Sequence, residues 1–167
     1  MARSKPWSDL AYQSLEAPWS EALELFGFAG AWAPPAGSVE SGWGARDGSR
    51  LSGALLVERA GPAAMLHGPV VVAPPDAPPE QALDAAARLV AEALGQAQAA
   101  GIATVFARPQ GLDRIWVRSG FIPVPEAELP AGLRGRPGLG LFGWRGGTAL
   151  WSAAGRGAPR ARSLTPR

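Results

Sequence analysis

The stretch from Gln81 to Ala107 constrains the fold more than any other part of this chain. Leu83, Ala87, Val90, Leu94 and Ala97 step by four, three, four and three, which lines them up on one face of a helix running to Ala100. Asp84, Arg88, Glu92 and Gln96 fall on the other side. Gly101 stands where helices end in a left-handed residue, and Ile102–Ala107 follows at once as a short strand. Upstream, Ala63–Val72 reads AAMLHGPVVV, with a valine run typical of a strand buried on both faces. A strand, a long helix and a strand in that order need a right-handed parallel crossover.

The rest of the chain fits around that unit. Ser14–Phe28 has helical character, with Ser20 as the expected cap, Glu21 in the first turn and Pro18 before it. Residues 29–42 read as a loop. Val39–Ala45 and Leu51–Arg59 are strand candidates, and Ala60-Gly61-Pro62 is a turn into the valine-rich strand. Gly68-Pro69 interrupts that strand and predicts a bulge or a splay, because proline cannot donate a ladder hydrogen bond. A short helix over Leu112–Arg118 stops at Gly120. Phe121–Val124 and Leu139–Trp144 are the last strands, separated by a loop. The expected fold class is α/β, a mixed and mostly antiparallel sheet flanked by helices. Residues 1–145 are expected to form one domain and residues 146–167 a loose Gly- and Arg-rich tail.

Composition removes whole classes of chemistry. There is no cysteine among the 167 residues, which excludes disulfides, thiolate metal sites and cysteine nucleophiles. A single histidine, His67, excludes a two-histidine metal site, and no metal is expected. No apolar run approaches the roughly 18 residues of a membrane span, and no apolar segment follows the first residues as a secretory leader would require. The expectation is a cytoplasmic monomer or small oligomer, a homodimer included. The net charge of +2 hides an asymmetry: the last acid is Glu128, and seven arginines follow it. Those arginines are sparse, with no basic helix face and no aromatic platform, which argues against a nucleic-acid partner.

The ordered set from Leu51 to Trp144 resembles the GNAT superfamily of acyl-CoA-dependent N-acyltransferases. Met65–Val72, ending in Ala73-Pro74, is similar to that family's central strand. Gln81–Ala100 with Gly101-Ile102-Ala103-Thr104-Val105 is similar to its main helix and following strand. Asp113–Val124 is similar to its short helix closing on Gly-Phe into the last hairpin. The resemblance implies acetyl-CoA or another acyl-CoA as donor and a small-molecule or peptide amine as acceptor. It implies a strand splay that holds the acyl-pantetheine arm, with Val70 and Val72 on it. It implies a diphosphate at the N-terminus of the main helix, where amides of Gln81, Ala82 and Leu83 remain as donors. His67 is then the candidate general base, or a half-buried histidine bonding a carbonyl. Glu58, on the preceding strand, either shares that role through water or is a solvated strand residue. Trp19, Trp32 and Trp43 either shape the acceptor side or build the core.

The chain departs from the family pattern at two places. The family's Gly-rich loop corresponds to Pro74-Pro75-Asp76-Ala77-Pro78-Pro79-Glu80-Gln81-Ala82, which has no glycine, no basic residue and four prolines without N–H groups. The family's tyrosine acid corresponds to Trp116, whose indole N–H donates a hydrogen bond but not a proton near neutrality. The reading is a divergent N-acyltransferase. The alternative is a GNAT-like binding or regulatory module without catalysis, whose cleft side chains such as Trp116 would close.

Overall fold

The computed structural model describes residues 7, 9–109, 111–138 and 140–145. Seven strands form one sheet: β1 (Ala11–Leu15), β2 (Val39–Asp47), β3 (Arg50–Ala60), β4 (Ala63–Val71), β5 (Thr104–Ala107), β6 (Ile122–Pro123) and β7 (Phe142–Arg145). Their order is β1-β2-β3-β4-β5-β7-β6, and only β4 and β5 run parallel. The crossover between those two is α2 (Pro79–Ala99), as the periodicity predicts. The other helices are α1 (Ser20–Phe28) and α3 (Asp113–Arg118).

Helices cover both faces, so the middle strands carry no polar face. Leu51–Glu58 of β3 are buried without a break. On one side Leu55, Val57, Ala64 and Leu66 meet Leu89, Val90, Ala93 and Ala97 of α2. On the other, Leu56, Ala54 and Val70 meet Ala22 and Phe26 of α1. Farther along that second face, Met65 and Phe106 are capped by Leu129, Leu133 and Leu141 from the chain between β6 and β7. The buried stripe of α2 is turned from the expected one: Ala85, Ala86 and Leu89 face inward, while Leu83 is 41% exposed. Sequence stepping places Leu83 on the stripe, but the first turn of α2 overhangs a cleft instead of the sheet.

Three other local readings change. Ser14 and Leu15 belong to β1, which pairs with β2 and not with α1. Alternation in AYQSL is too short to separate from a helical turn. Ser20 is the first helical residue and caps nothing; Trp19 holds the cap position, with no side-chain bond. The main helix begins at Pro79, two residues before Gln81, because proline is tolerated in a first turn whose N–H groups have no partner. Gly101 has φ +76°, the left-handed stop that the sequence predicts. The expected tail, residues 146–167, lies outside the described residues.

Candidate functional site

The strand pair β4–β5 opens where the sequence breaks its own pattern. Its ladder runs from Ala63↔Thr104 to Leu66↔Ala107 and ends there, while β4 continues to Val71 on its β3 side. Between Leu56↔His67 and Ala54↔Val70 the β3–β4 register shifts, so Gly68 and Pro69 bulge out of the ladder. Gly68 has φ +94°, and a Cβ there would meet the Ala54 carbonyl oxygen at 3.0 Å. Only glycine fits that turn.

A cleft of about 510 Å³ fills the opening. Gly68–Val71 form one wall, and Pro79, Ala82, Leu83 and Ala86 of α2 another. Ala29–Ala31 and Gly111, Leu112 and Trp116 complete it. No described residue in this lining carries an ionisable side chain. Trp116 is 1% exposed and stacks edge-to-face on Phe121 at 5.0 Å. It walls the cleft without filling it, and its buried Nε1 has no hydrogen-bond partner among the described residues. Leu112 holds a left-handed φ of +66° at the start of α3, an unusual conformation for a leucine.

Backbone donors decide what the cleft can hold. Val72 gives its N–H to the Ser52 carbonyl at 2.8 Å. Successive residues of a strand turn their polar groups to alternate edges, so Val70 also faces β3 and Val71 faces the open edge. The open-edge backbone is therefore that of Val71, not of the Val70 and Val72 that the sequence offers. At α2, the four positions with unpaired N–H groups are Pro78, Pro79, Glu80 and Gln81. Two are prolines, and Gln81 donates to the Pro78 carbonyl at 3.0 Å. Ala82 and Leu83 lie inside the helix's own ladder. Of the expected donors Gln81, Ala82 and Leu83, none has an amide to spare, because the helix starts two residues earlier than the sequence suggests. Glu80 alone keeps an orphan N–H, on a residue with an acidic side chain.

At the apex of the opening lies a buried polar cluster. His67 is the first β4 residue past the β5 ladder, and Leu56, not Glu58, is its register partner. Glu58 is the diagonal neighbour, on the same face. His67 Nε2 lies 2.7 Å from Glu58 Oε1, a direct bond with no water between, and the residues are 6% and 2% exposed. Arg136 grips the same carboxylate with both arms of its guanidinium, Nε to Oε1 and Nη2 to Oε2, each at 2.7 Å. It also donates to the carbonyls of Arg134 at 3.0 Å and Gly132 at 3.3 Å. Arg108, just past the end of β5, pairs with Glu126.

Charge fixes the proton positions. Burial pushes the His67 pKa down; the bond and charge of Glu58 pull it up, and Arg136 and Arg108 push it down again, leaving it below the ordinary histidine value. Burial works to raise the Glu58 pKa, but bonds from Arg136, Ser38 and His67 overcome it and hold the carboxyl below its usual range. Near neutral pH the cluster thus holds an ionised Glu58 and a neutral His67. An ionised carboxylate only accepts, so Nε2 carries the histidine proton and Nδ1 keeps its lone pair.

The structure brings His67 and Glu58 together and adds Arg136, which the sequence shows only as one arginine of a basic C-terminal stretch. It lies 78 residues from Glu58, and no local pattern links them. His67 is adjacent to the cleft-lining Gly68 but does not itself line the cleft. Trp43 turns away from the acceptor side and donates to Gln96 Oε1 of α2 at 2.7 Å. Trp19 packs on the α1 side of the sheet, and Trp32 is 45% exposed. Among the described residues, no helix is long and apolar enough to cross a membrane.

No family model and no curated protein sequence matches the chain. Solved structures do. A GNAT-family acetyltransferase from Staphylococcus aureus superposes with a TM-score of 0.58 at 11% identity, over 81% of this chain and 99% of that one. A GNAT-family N-acetyltransferase from Escherichia coli, in complex with CoA, gives 0.56 at 16% identity over 86% and 85%. A ribosomal-protein alanine N-acetyltransferase from Escherichia coli gives 0.59 at 14% identity over 81% and 93%. The mixed, mostly antiparallel seven-stranded sheet with its helices is therefore the GNAT fold, in a divergent form whose main helix begins in prolines.

Proposed function

We propose that this chain transfers an acyl group from an acyl thioester, acyl-CoA in the general case, to the amine of a small molecule or peptide. One observation carries the reading: β4 parts from β5 immediately before a carboxylate-held histidine, and the gap is a cleft and not a packed seam. Structural neighbours include acetyltransferases, and three of the solved neighbours hold CoA. Others are named for an N-acetylated amino acid and for a ribosomal-protein alanine, which suits an amine acceptor without choosing its size.

The thioester supplies an activated acyl carbon. The amine nitrogen attacks that carbon, the C–N bond forms, the C–S bond breaks, and the thiolate leaves. His67 borders the cleft without lining it, so the proton that the amine sheds reaches Nδ1 through water, and Glu58 stabilises the imidazolium at Nε2. Val71 turns its backbone to the donor arm at the open edge. Trp116 has no proton to give, so the thiolate is protonated by water, and the reaction runs without general-acid help. The open cleft favours this over a module closed by Trp116.

Thiol release from acetyl-CoA and longer acyl-CoA esters, measured across a panel of amino acids, polyamines and peptide N-termini, tests the reading. His67→Gln is expected to lower kcat by about 10²–10⁴ with little change in KM. No thiol release above the uncatalysed background with any pair would sink it.

A further inference from the structure

The cleft and the helix that borders it point in different chemical directions. The cleft is lined by Ala, Gly, Pro, Val, Leu and Trp, with the backbone of Val71 at its open edge. That surface suits a neutral, amide-bearing arm that can extend β4 as a strand would. The start of α2 suits no anion. Pro74, Pro75, Pro78 and Pro79 remove four N–H groups. The amides of Ala77 and Gln81 are spent on the carbonyls of Pro74 and Pro78, each at 3.0 Å. Asp76 and Glu80 are exposed, and Glu80 carries the one orphan N–H of the first turn of α2. Arg88, farther along the helix, is engaged: its Nε donates to Glu92 at 2.6 Å and its guanidinium lies 4.7 Å from the Tyr12 ring centre.

We infer that this site recognises its acyl donor by the pantetheine arm alone, and that acyl thioesters of pantetheine are donors in their own right, with or without a nucleotide attached. The inference rests on the acyl-transfer reading and names its donor class. A diphosphate at α2 would find one amide where a helix start ordinarily offers several, and two acids where it would need cations. It adds nothing to binding here, so the nucleotide is a passenger.

Competition calorimetry with three probes, CoA, 4′-phosphopantetheine and pantetheine, tests this at low salt and at tenfold higher salt. The dissociation constants are expected to agree within about threefold, and CoA binding is not expected to weaken with salt. A doubly neutralised variant, Asp76→Asn with Glu80→Gln, is expected to keep the dissociation constants of CoA and pantetheine within that same threefold, because a passenger nucleotide does not meet those acids. CoA tighter than pantetheine by tenfold or more would overturn the donor class while leaving acyl transfer standing. The same holds if the variant tightens CoA by tenfold or more and leaves pantetheine unchanged. Failure of all three probes to bind would overturn both this inference and the acyl-transfer reading.

Discussion

Arg136→Met strands a carboxylate. Glu58 has a side chain only 3% exposed, and in the native chain it accepts two bonds from Arg136, each at 2.7 Å. Removing the guanidinium leaves it only neutral partners, the His67 imidazole and Ser38. Breaking a buried ion pair from one side costs about 3–5 kcal/mol, since the remaining charge can neither hydrate nor pair. Glu58→Gln breaks the same pair from the other side and should cost less. The Arg136 side chain is 19% exposed and reaches water, and its bonds to the Arg134 and Gly132 carbonyls persist. A cost of about 1–3 kcal/mol follows from the charge-assisted bonds lost. The double variant should cost less than the two single costs summed, because the pair is removed whole. Urea unfolding at neutral pH, with the m-value checked for constancy, measures all three. A cost below about 1 kcal/mol for Arg136→Met, or Glu58→Gln the more damaging of the two, would refute the asymmetry and with it an ionised Glu58.

Further outcomes follow from the same geometry. His67 is the only histidine, so one imidazole NMR signal reports the site without assignment; Glu58→Gln should lower its pKa further, and Arg136→Met should raise it, while equal directions would contradict the charge arrangement. Both His67 and Glu58 have folded pKa values below their unfolded ones. Stability is therefore full above the ordinary histidine range and falls as acid protonates the unfolded chain first, by about 1.4 kcal/mol per pH unit for each proton taken up. His67→Gln should remove the upper part of that fall, which denaturation at stepped pH would reveal. Gly68→Ala should cost about 1–3 kcal/mol by thermal unfolding, from its positive φ and the 3.0 Å approach to Ala54. Leu112→Asn should stabilise by about 0.5–1 kcal/mol, since asparagine tolerates the left-handed φ that leucine resists; a loss would show that Leu112 packing outweighs the strain.

Much of this protein is local, and what is local is legible in the sequence. The existence of α2, the Gly101 stop, the β3–β4 turn and the Gly68-Pro69 break each depend on a few adjacent residues and stand where those residues put them, whereas the start of α2 and its buried stripe shift. The prolines before α2 likewise announce the loss of amide donors, because a missing N–H is covalent and needs no tertiary context. Three things belonged to the tertiary structure. AYQSL became a strand because β2 offered it an edge, and no window of five residues carries that information. Leu83 faces a cleft because β4 and β5 diverge beneath it, not because of its helical phase. The neutral state of His67 comes first from burial and then from Arg136, which reaches the Glu58 carboxylate across 78 residues and which composition alone assigns to a basic end of the chain. Backbone propensity and missing donors are fixed residue by residue, whereas a buried charge acquires its partner, and its pKa, only when the fold brings distant segments onto one face of the sheet.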